Sequence, residues 1–259
     1  MTETSMKFGS LFSGIGGLDL AMESLGHECA WQVEIHPYRQ KILQRHWPNV
    51  TRYEDVRTID GNVEPVAMVA GGFPCQPFSV AGKQRGADDE RNLWPETIRV
   101  IRELRPRYAF LENVPGLLSH EYFGTVLGEL AEAGYDAQWG CFTAAQVGAS
   151  HKRERLFILA HTDHEGLQGR DECGNGAGEG GTRTSSPQPR QQRPVAFPPG
   201  PNDLDAWARV LTEVPSLEPA VCRVATGIPD RTHRLAALGD AVVPAQAAMA
   251  FRELKERIT

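Results

Sequence analysis

Short apolar runs alternate with amphipathic segments along the first two thirds of the chain. Predicted strands cover residues 8–12, 29–33, 66–70, 108–111, 137–142 and 155–160. Predicted helices cover residues 18–25, 37–45, 94–104, 123–133 and, close to the end of the chain, 244–258. This alternation is typical of a mainly parallel sheet with helices on both faces. We therefore predict an α/β fold built on a doubly wound sheet.

The pattern changes at His161. From there to Arg193 the chain is rich in Gly, Ser, Thr, Pro, Gln and Arg, a composition too polar to add a layer to the sheet. Regular patterning has fully returned by His233. We therefore predict a main domain formed by residues 1–160 plus 233–259, and a small inserted domain formed by residues 161–232.

Composition and charge narrow the class of protein. With 41% hydrophobic and 23% charged residues, the chain of 259 residues can bury a sizeable core. No apolar run approaches the roughly 18 residues of a membrane helix, so we expect no membrane partner and a cytoplasmic location. The five cysteines are widely spaced and form no Cys-x-x-Cys pair, so we expect free thiols and no metal site. The net charge of −6 argues only weakly against nucleic acid, which is bound by a local basic face.

The first predicted strand runs into a glycine-rich turn of sequence FSGIGG at residues 12–17. Doubly wound folds bind nucleotide-like ligands at this place, because glycines allow close approach and the helix N-terminus offers free N–H groups. Glu34 ends the second strand, where it can accept hydrogen bonds from ribose hydroxyls. Asp55 can bind an adenine amine at the next strand end. The turn alone is equally consistent with a tight turn that binds nothing, and Glu34 favours the ligand.

A cysteine flanked by prolines follows a buried strand. The sequence GGFPCQPFS at residues 71–79 places Cys75 in a rigid, exposed turn. Most cysteines are inert packing residues, which is our interpretation of Cys29, Cys141 and Cys222. A turn of this kind is a poor place for a packing residue and a good one for a nucleophile. Cys75 is therefore the candidate nucleophile.

Four motifs occur in a fixed order: the glycine turn, PCQ at residues 74–76, ENV at residues 112–114 and HKRER at residues 151–155. In this order they resemble the cytosine-C5 DNA methyltransferase family, and the resemblance covers about residues 8–160 and 231–259. It implies the Rossmann-like fold of S-adenosylmethionine-dependent methyltransferases, with S-adenosyl-L-methionine as cofactor, in a compact enzyme of prokaryotic or phage type. The implied reaction is that of a DNA (cytosine-5-)-methyltransferase, which flips a cytosine out of the duplex and methylates its C5.

The resemblance implies roles for four catalytic residues. Cys75 attacks C6 of the cytosine. Glu112 bonds N3 and N4 and stabilises protonation at N3, which requires a carboxyl group buried enough for its proton affinity to rise. Arg155 holds the cytosine O2, and Arg153 braces the site. Without the resemblance, Glu112 is open to interpretation as a helix-capping acid and the arginines as a solvated strand end.

Ten further positions match cofactor-binding residues of the family. They are Phe12, Gly14, Ile15 and Gly17 around the methionine, Glu34 at the ribose, Asp55 at the adenine, Pro74 and Leu93 in the pocket walls, and Asp240 and Val242 near the C-terminus. Asp240 departs from the family, which usually has asparagine there. An acid beside the cofactor's carboxylate repels it unless its contact is made through the backbone.

The inserted domain occupies the place of the family's target-recognition domain, which favours double-stranded DNA as the partner. We predict that its arginines and glutamines read base edges. The candidate base readers are Arg170, Arg183, Arg190, Gln191, Gln192 and Arg193. We also expect a monomer, and a cognate restriction endonuclease is a candidate partner.

Three other functions remain open. A nicotinamide-dependent oxidoreductase has the glycine turn and the strand-end acid, but leaves PCQ and ENV unexplained. A tRNA cytosine-5 methyltransferase keeps the chemistry and changes the substrate. A DNA-binding module without activity is hard to reconcile with an intact Cys75 and Glu112.

Overall fold

The computed structural model describes residues 5–74, 92–162, 205, 208–209, 212 and 230–258. The strands are β1 (Lys7–Leu11), β2 (Glu28–Val33), β3 (Thr51–Tyr53), β4 (Met68–Gly72), β5 (Tyr108–Asn113), β6 (Asp136–Thr143) and β7 (Glu154–His161). The helices are α1 (Gly17–Ser24), α2 (Pro37–His46), α3 (Trp94–Leu104), α4 (Tyr122–Glu132), α5 (Arg231–Asp240) and α6 (Pro244–Glu256). No helix in these ranges is long and apolar enough to cross a lipid bilayer.

The seven strands form one sheet in the order β3-β2-β1-β4-β5-β7-β6. The first five strands of this order run parallel, which confirms the predicted α/β class. Strand β7 is antiparallel to both of its neighbours. Its direction follows from the connection at residues 144–153, because a parallel crossover needs a dozen or more residues.

Two elements were absent from the predicted series. Strand β3 has only three residues, too few for a hydrophobic period to appear. Helix α5 begins two residues before the predicted boundary at residue 233, and Ala237 is its one buried residue among those whose side chains are described. A helix that buries so little gives no amphipathic pattern.

Helices α1 and α6 cover one face of the sheet, while α3 and α4 cover the other. Side chains alternate between the faces along each strand, as the pleat requires. In β5, Phe110 packs in the cluster with Phe251 of α6, whereas Leu111 packs in the cluster with Trp94 of α3. Strand β7 repeats the alternation with Phe157 and Ile158.

The order of the strands reverses between β1 and β4. From β1 the chain builds outward to β2 and β3, then returns to place β4 on the other side of β1. Ligands of doubly wound proteins bind in the crevice at the carboxyl ends of the strands where the order reverses. The glycine turn follows β1 at this crevice, and Phe73 and Pro74, which lead into the PCQ motif, follow β4 there.

Candidate functional site

A cavity of about 400 Å³ opens at the carboxyl edge of the parallel strands. It is lined by the ends of β1, β2, β4 and β5, by the start of β7, and by the segment that joins α5 to α6. Because β7 runs antiparallel to β5, its first residues lie at the same edge as the last residues of the parallel strands. The cavity is therefore built from distant parts of the chain.

The glycine turn forms the floor of the cavity between β1 and α1. Phe12, Gly14 and Gly16 all have positive φ angles, of 53°, 60° and 87°. Such a conformation strains a phenylalanine by about 1–3 kcal/mol, and strain of this kind is concentrated at binding sites. At Gly16 a Cβ atom would lie 2.3 Å from the Trp47 indole, so the turn has no room for a side chain there.

Glu34 holds the turn in place from the end of β2. Its Oε2 accepts a hydrogen bond from the Gly14 N–H at 2.8 Å, and its Oε1 accepts one from the His36 N–H at 2.8 Å. The residue is only 5% exposed. A carboxylate offers about four lone-pair positions, so both oxygens can still accept bonds from ligand hydroxyls.

Asp55 lies at the next strand end and caps a short 3₁₀ helix, Val56–Thr58. Its side chain accepts the Arg57 N–H at 3.0 Å and forms an ion pair with the Arg57 side chain at 3.3 Å. Pro74 and Leu93 line the opposite wall of the same cavity. The described chain stops at Pro74 and resumes at Asn92, so Cys75 lies outside the described residues.

Glu112 and Arg155 form an ion pair in the cavity, with 3.0 Å between Oε1 and Nε. Strand alternation puts Glu112 on the same face as Phe110, and Arg155 on the same face as Phe157. The facing residue of β4 is Gly72, where a Cβ atom would lie 2.8 Å from Glu112 Oε2. The glycine leaves the room that the carboxyl group occupies.

Burial raises the pKa of Glu112 to about 7, against the opposing effect of the Arg155 and Arg153 charges. The Glu112 side chain is 12% exposed, so its charged form loses most of its hydration. A carboxyl group with this pKa can hold or release a proton near neutral pH, which is the property of a general acid–base group.

Arg153 braces the site from outside the cavity wall. Its Nη2 donates to the carbonyl oxygens of Gly239 and Ala241, at 2.8 Å and 2.5 Å. Burial and the Arg155 charge lower the pKa of Arg153. Its backbone has a φ of 31°, another strained position. Arg153 thus ties the start of β7 to the segment between α5 and α6.

That segment closes the cavity above the glycine turn. A Cβ atom at Gly17 would lie 2.6 Å from the Val242 carbonyl oxygen, so only glycine permits this approach. Asp240 forms an ion pair with Arg39 of α2, and both residues line the cavity. The segment between α5 and α6 is therefore part of the cavity wall.

Twelve of the predicted site residues line this one cavity. They are Phe12, Gly14, Ile15, Gly17, Glu34, Asp55, Pro74, Leu93, Glu112, Arg155, Asp240 and Val242. Arg153 contacts the wall from behind, and Cys75 and the candidate base readers lie outside the described residues.

Several residues of the cavity were not predicted as site residues, and three of them contribute to its geometry or charge. Ile35 lines the cavity directly after Glu34 and is 67% exposed. Its position after a strand-end acid is the one feature of the sequence that could have indicated it. Asn113 donates from Nδ2 to the Phe73 carbonyl oxygen at 3.1 Å, which joins the end of β5 to the chain just before Pro74. Arg39 gave no signal, since its partner Asp240 is 201 positions away.

The family model for C-5 cytosine-specific DNA methylases matches residues 6–196. The chain belongs to this family. The match confirms the resemblance that the four motifs predicted. It runs from the start of β1 beyond the end of β7, and so includes every element that contributes an acid or arginine to the cavity except α5.

Curated type II methyltransferases are similar to more than half of the chain. The type II methyltransferase M.NgoMIV of Neisseria gonorrhoeae is 40% identical over 162 residues, which are 60% of this chain and 52% of that protein. M.HhaI of Haemophilus parahaemolyticus is 31% identical over 169 residues, covering 64% of this chain and 52% of that protein. The chain thus spans about half the length of the curated relatives it matches.

Solved structures in the family share the fold. A protein described as a DNA modification methyltransferase, encoded within an E. coli prophage, is 28% identical with a TM-score of 0.53, covering 61% of this chain and 47% of that one. Spodoptera frugiperda DNMT2 is 24% identical with a TM-score of 0.51, covering 62% of this chain and 51% of that one. The second similarity concerns the fold alone.

C-5 cytosine methylases use S-adenosyl-L-methionine, and the residues of the cavity fit this group. Glu34 and Asp55 offer acceptors at two successive strand ends, where a nucleoside needs them. Gly17 and Leu18, the first residues of α1, line the cavity, and a helix start binds carboxylates well.

Proposed function

We propose that this protein is a DNA (cytosine-5-)-methyltransferase, which takes the methyl group of S-adenosyl-L-methionine and transfers it to C5 of a cytosine flipped out of duplex DNA. The observation that carries the proposal is the Glu112–Arg155 pair, which shares one cavity with the glycine turn and its strand-end acids. An acid–base group and a nucleoside-binding region are thereby joined in a single site.

In this proposal Cys75 supplies the nucleophile. It follows Pro74, which lines the cavity, and Asn113 fixes the backbone of Phe73 one residue earlier. The Cys75 sulfur bonds C6 of the cytosine, which raises electron density at C5. After C5 is methylated, it loses its proton, the sulfur leaves C6, and the thiolate is regenerated.

Glu112 controls the charge that develops on the base. Because its pKa lies near 7, it can hold a proton toward N3 of the cytosine and so stabilise the electrons that the attack pushes into the ring. Arg155 keeps the carboxyl group in position from 3.0 Å and offers donors for the base's O2. Arg153 acts through the wall, by fixing the carbonyls of Gly239 and Ala241.

S-adenosyl-L-methionine, when bound, supplies an electrophilic methyl group on a sulfonium. Phe12, Gly14, Ile15 and Gly17 would surround its amino-acid end, and Glu34 and Asp55 would accept bonds from its ribose and adenine. Pro74, Leu93 and Val242 would form walls that keep water from the reacting atoms.

The substrate we propose is double-stranded DNA, as the type II methyltransferase names of the relatives support. Residues 161–232 would read the target sequence, and a cognate endonuclease would cut the same sequence when it is unmethylated. The protein would act as a monomer, since one cavity already combines the groups for both ligands.

Trapping on a modified base tests the proposed chemistry. With S-adenosyl-L-methionine present, a duplex carrying 5-fluorocytosine should form a stable protein–DNA adduct, because fluorine replaces the C5 proton and cannot be eliminated after methyl transfer. The adduct should disappear in Cys75→Ser and persist in the control Cys141→Ser. An equal adduct yield in Cys75→Ser would refute the nucleophile.

Substrate class is tested with labelled methyl groups. Transfer to duplex DNA and not to tRNA supports the proposal, and the reverse supports the tRNA alternative.

Alanine substitution of single base readers, for example Arg183 or Gln191, tests sequence recognition. Loss of a base reader should relax one position of the methylated motif, whereas loss of a phosphate contact would lower methylation evenly. An unchanged motif in every variant would move recognition out of residues 161–232.

A further inference from the structure

More acids than arginines line the cavity. Among its described lining residues, five are acids and three are arginines: Glu34, Glu54, Asp55, Glu112 and Asp240, against Arg39, Arg57 and Arg155. Each arginine is paired with an acid, in the pairs Arg57–Asp55, Arg155–Glu112 and Arg39–Asp240. The first two pairs belong to groups whose roles are already assigned, and the third does not.

Asp240 is held at the cavity from both sides. Arg153 bonds the Gly239 and Ala241 carbonyls next to it. Earlier in α5, His233 stacks on Tyr38 of α2 with ring centroids 5.6 Å apart. The backbone around Asp240 is therefore fixed at the cavity wall, and the charge of its carboxylate is paired there with Arg39.

The start of α1 lies close to this acid. Val242, two residues beyond Asp240, rests on Gly17, the first residue of α1. The first N–H groups of a helix have no partner within the helix and favour a bound carboxylate. The start of α1 therefore favours an amino-acid carboxylate, and Asp240 adds a second carboxylate to the wall of the same cavity.

Arg39 is the group that can remove this conflict. It pairs with Asp240, and its side chain is 22% exposed against 67% for the acid. The ion pair places the positive charge of Arg39 against Asp240, and both groups line the cavity.

We propose that Arg39 is a positioning residue for the cofactor: by pairing with Asp240 it removes the repulsion that this acid exerts on the α-carboxylate of S-adenosyl-L-methionine. The proposal rests on the proposed function, because it takes that cofactor as the ligand. It makes Arg39 and Asp240 a matched pair, in which loss of the arginine alone is harmful and loss of both is not.

Binding of two ligands to four proteins tests this. The proteins are wild type, Arg39→Gln, Asp240→Asn and the double variant, and the ligands are S-adenosyl-L-methionine and its decarboxylated analogue, measured by calorimetry without DNA. Arg39→Gln should weaken binding of the full cofactor about tenfold and should not weaken binding of the analogue, which keeps only the cationic groups that Asp240 attracts. The double variant should recover the lost affinity. Asp240→Asn should tighten binding of the full cofactor, because Arg39 is then free to face its carboxylate.

Two results would overturn the proposal. One is an equal loss for both ligands in Arg39→Gln, which would mean that Arg39 only supports the cavity wall. The other is a double variant as weak as Arg39→Gln. Arg39→Lys, which keeps the charge, should bind like wild type and separates charge from folding. If the wild-type protein binds neither ligand, the proposed function itself is refuted. If it binds both, that function stands, and the result for Arg39→Gln decides only the role of Arg39.

Discussion

Glu34 and Glu112 are the same residue type at the same edge of one sheet, yet their surroundings differ. Glu34 is held by two backbone N–H groups, one on each oxygen. Glu112 is held by the side chain of Arg155, and burial raises its pKa to about 7. Backbone donors make the first carboxylate a fixed acceptor for a ligand. A buried site with one charged partner makes the second a group that exchanges protons.

The largest expected effect is on the rate of methyl transfer. Glu112→Gln keeps the size of the side chain and removes its proton exchange, so the single-turnover rate should fall roughly 10²- to 10⁴-fold. The control is Glu132→Gln, an exposed carboxylate on α4, which should react at the wild-type rate. A rate loss below threefold in Glu112→Gln would contradict the proposed proton exchange by Glu112.

The second effect is on stability. The pKa of Glu112 rises from 4.5 to about 7 on folding, so the folded protein binds this proton more tightly than the unfolded chain. The associated stability is fully present below pH 4.5 and is lost as the pH rises toward 7, amounting to roughly 3 kcal/mol. Urea unfolding between pH 5 and pH 8 should show this loss in wild type and not in Glu112→Gln. Parallel pH profiles for the two proteins would contradict it.

Glu34 should control binding and not the chemical step. Glu34→Ala leaves the Gly14 and His36 N–H groups without their acceptor and removes a ligand acceptor, so cofactor affinity should fall by about 1–3 kcal/mol. Glu34→Gln retains one acceptor oxygen and should lose less. Calorimetry measures both variants, and an unchanged dissociation constant for Glu34→Ala would place the nucleoside elsewhere.

The smallest effect tests the space around Glu112. In Gly72→Ala the new methyl group would lie 2.8 Å from Glu112 Oε2, so the carboxyl group must move. We expect about a tenfold lower rate of methyl transfer, because the Glu112 carboxyl group must be aligned with the reacting base. Cofactor affinity should change little. Gly124→Ala is the matched control, since a Cβ there meets nothing within 4 Å. Equal rates in both variants would show that Glu112 tolerates displacement.

The residues of the cavity could be predicted from sequence where local signals exist. The glycine turn, Glu34 and Glu112 all follow apolar strands, and a strand end is visible in the hydrophobic pattern. The direction of β7 is not visible, because alternation is the same in parallel and antiparallel strands. The ion pair of Arg155 with Glu112 depends on that direction and was not predicted, although the family resemblance assigned both residues to the cytosine. The Arg39–Asp240 pair joins residues 201 positions apart, and no local pattern encodes it.

The direction of β7 also decides how the two ends of residues 162–229 are attached. His161 pairs with Tyr108 at the start of β5, on the edge of the sheet away from the cavity. The other end leads into α5, which packs on Tyr38 and ends at Asp240 in the cavity wall. In a chimaera that exchanges this segment with that of a relative, the first graft point is remote from the chemistry and the second is not. A transplanted segment that includes its own α5 would replace part of the cavity wall, so the α5 of this protein must be kept.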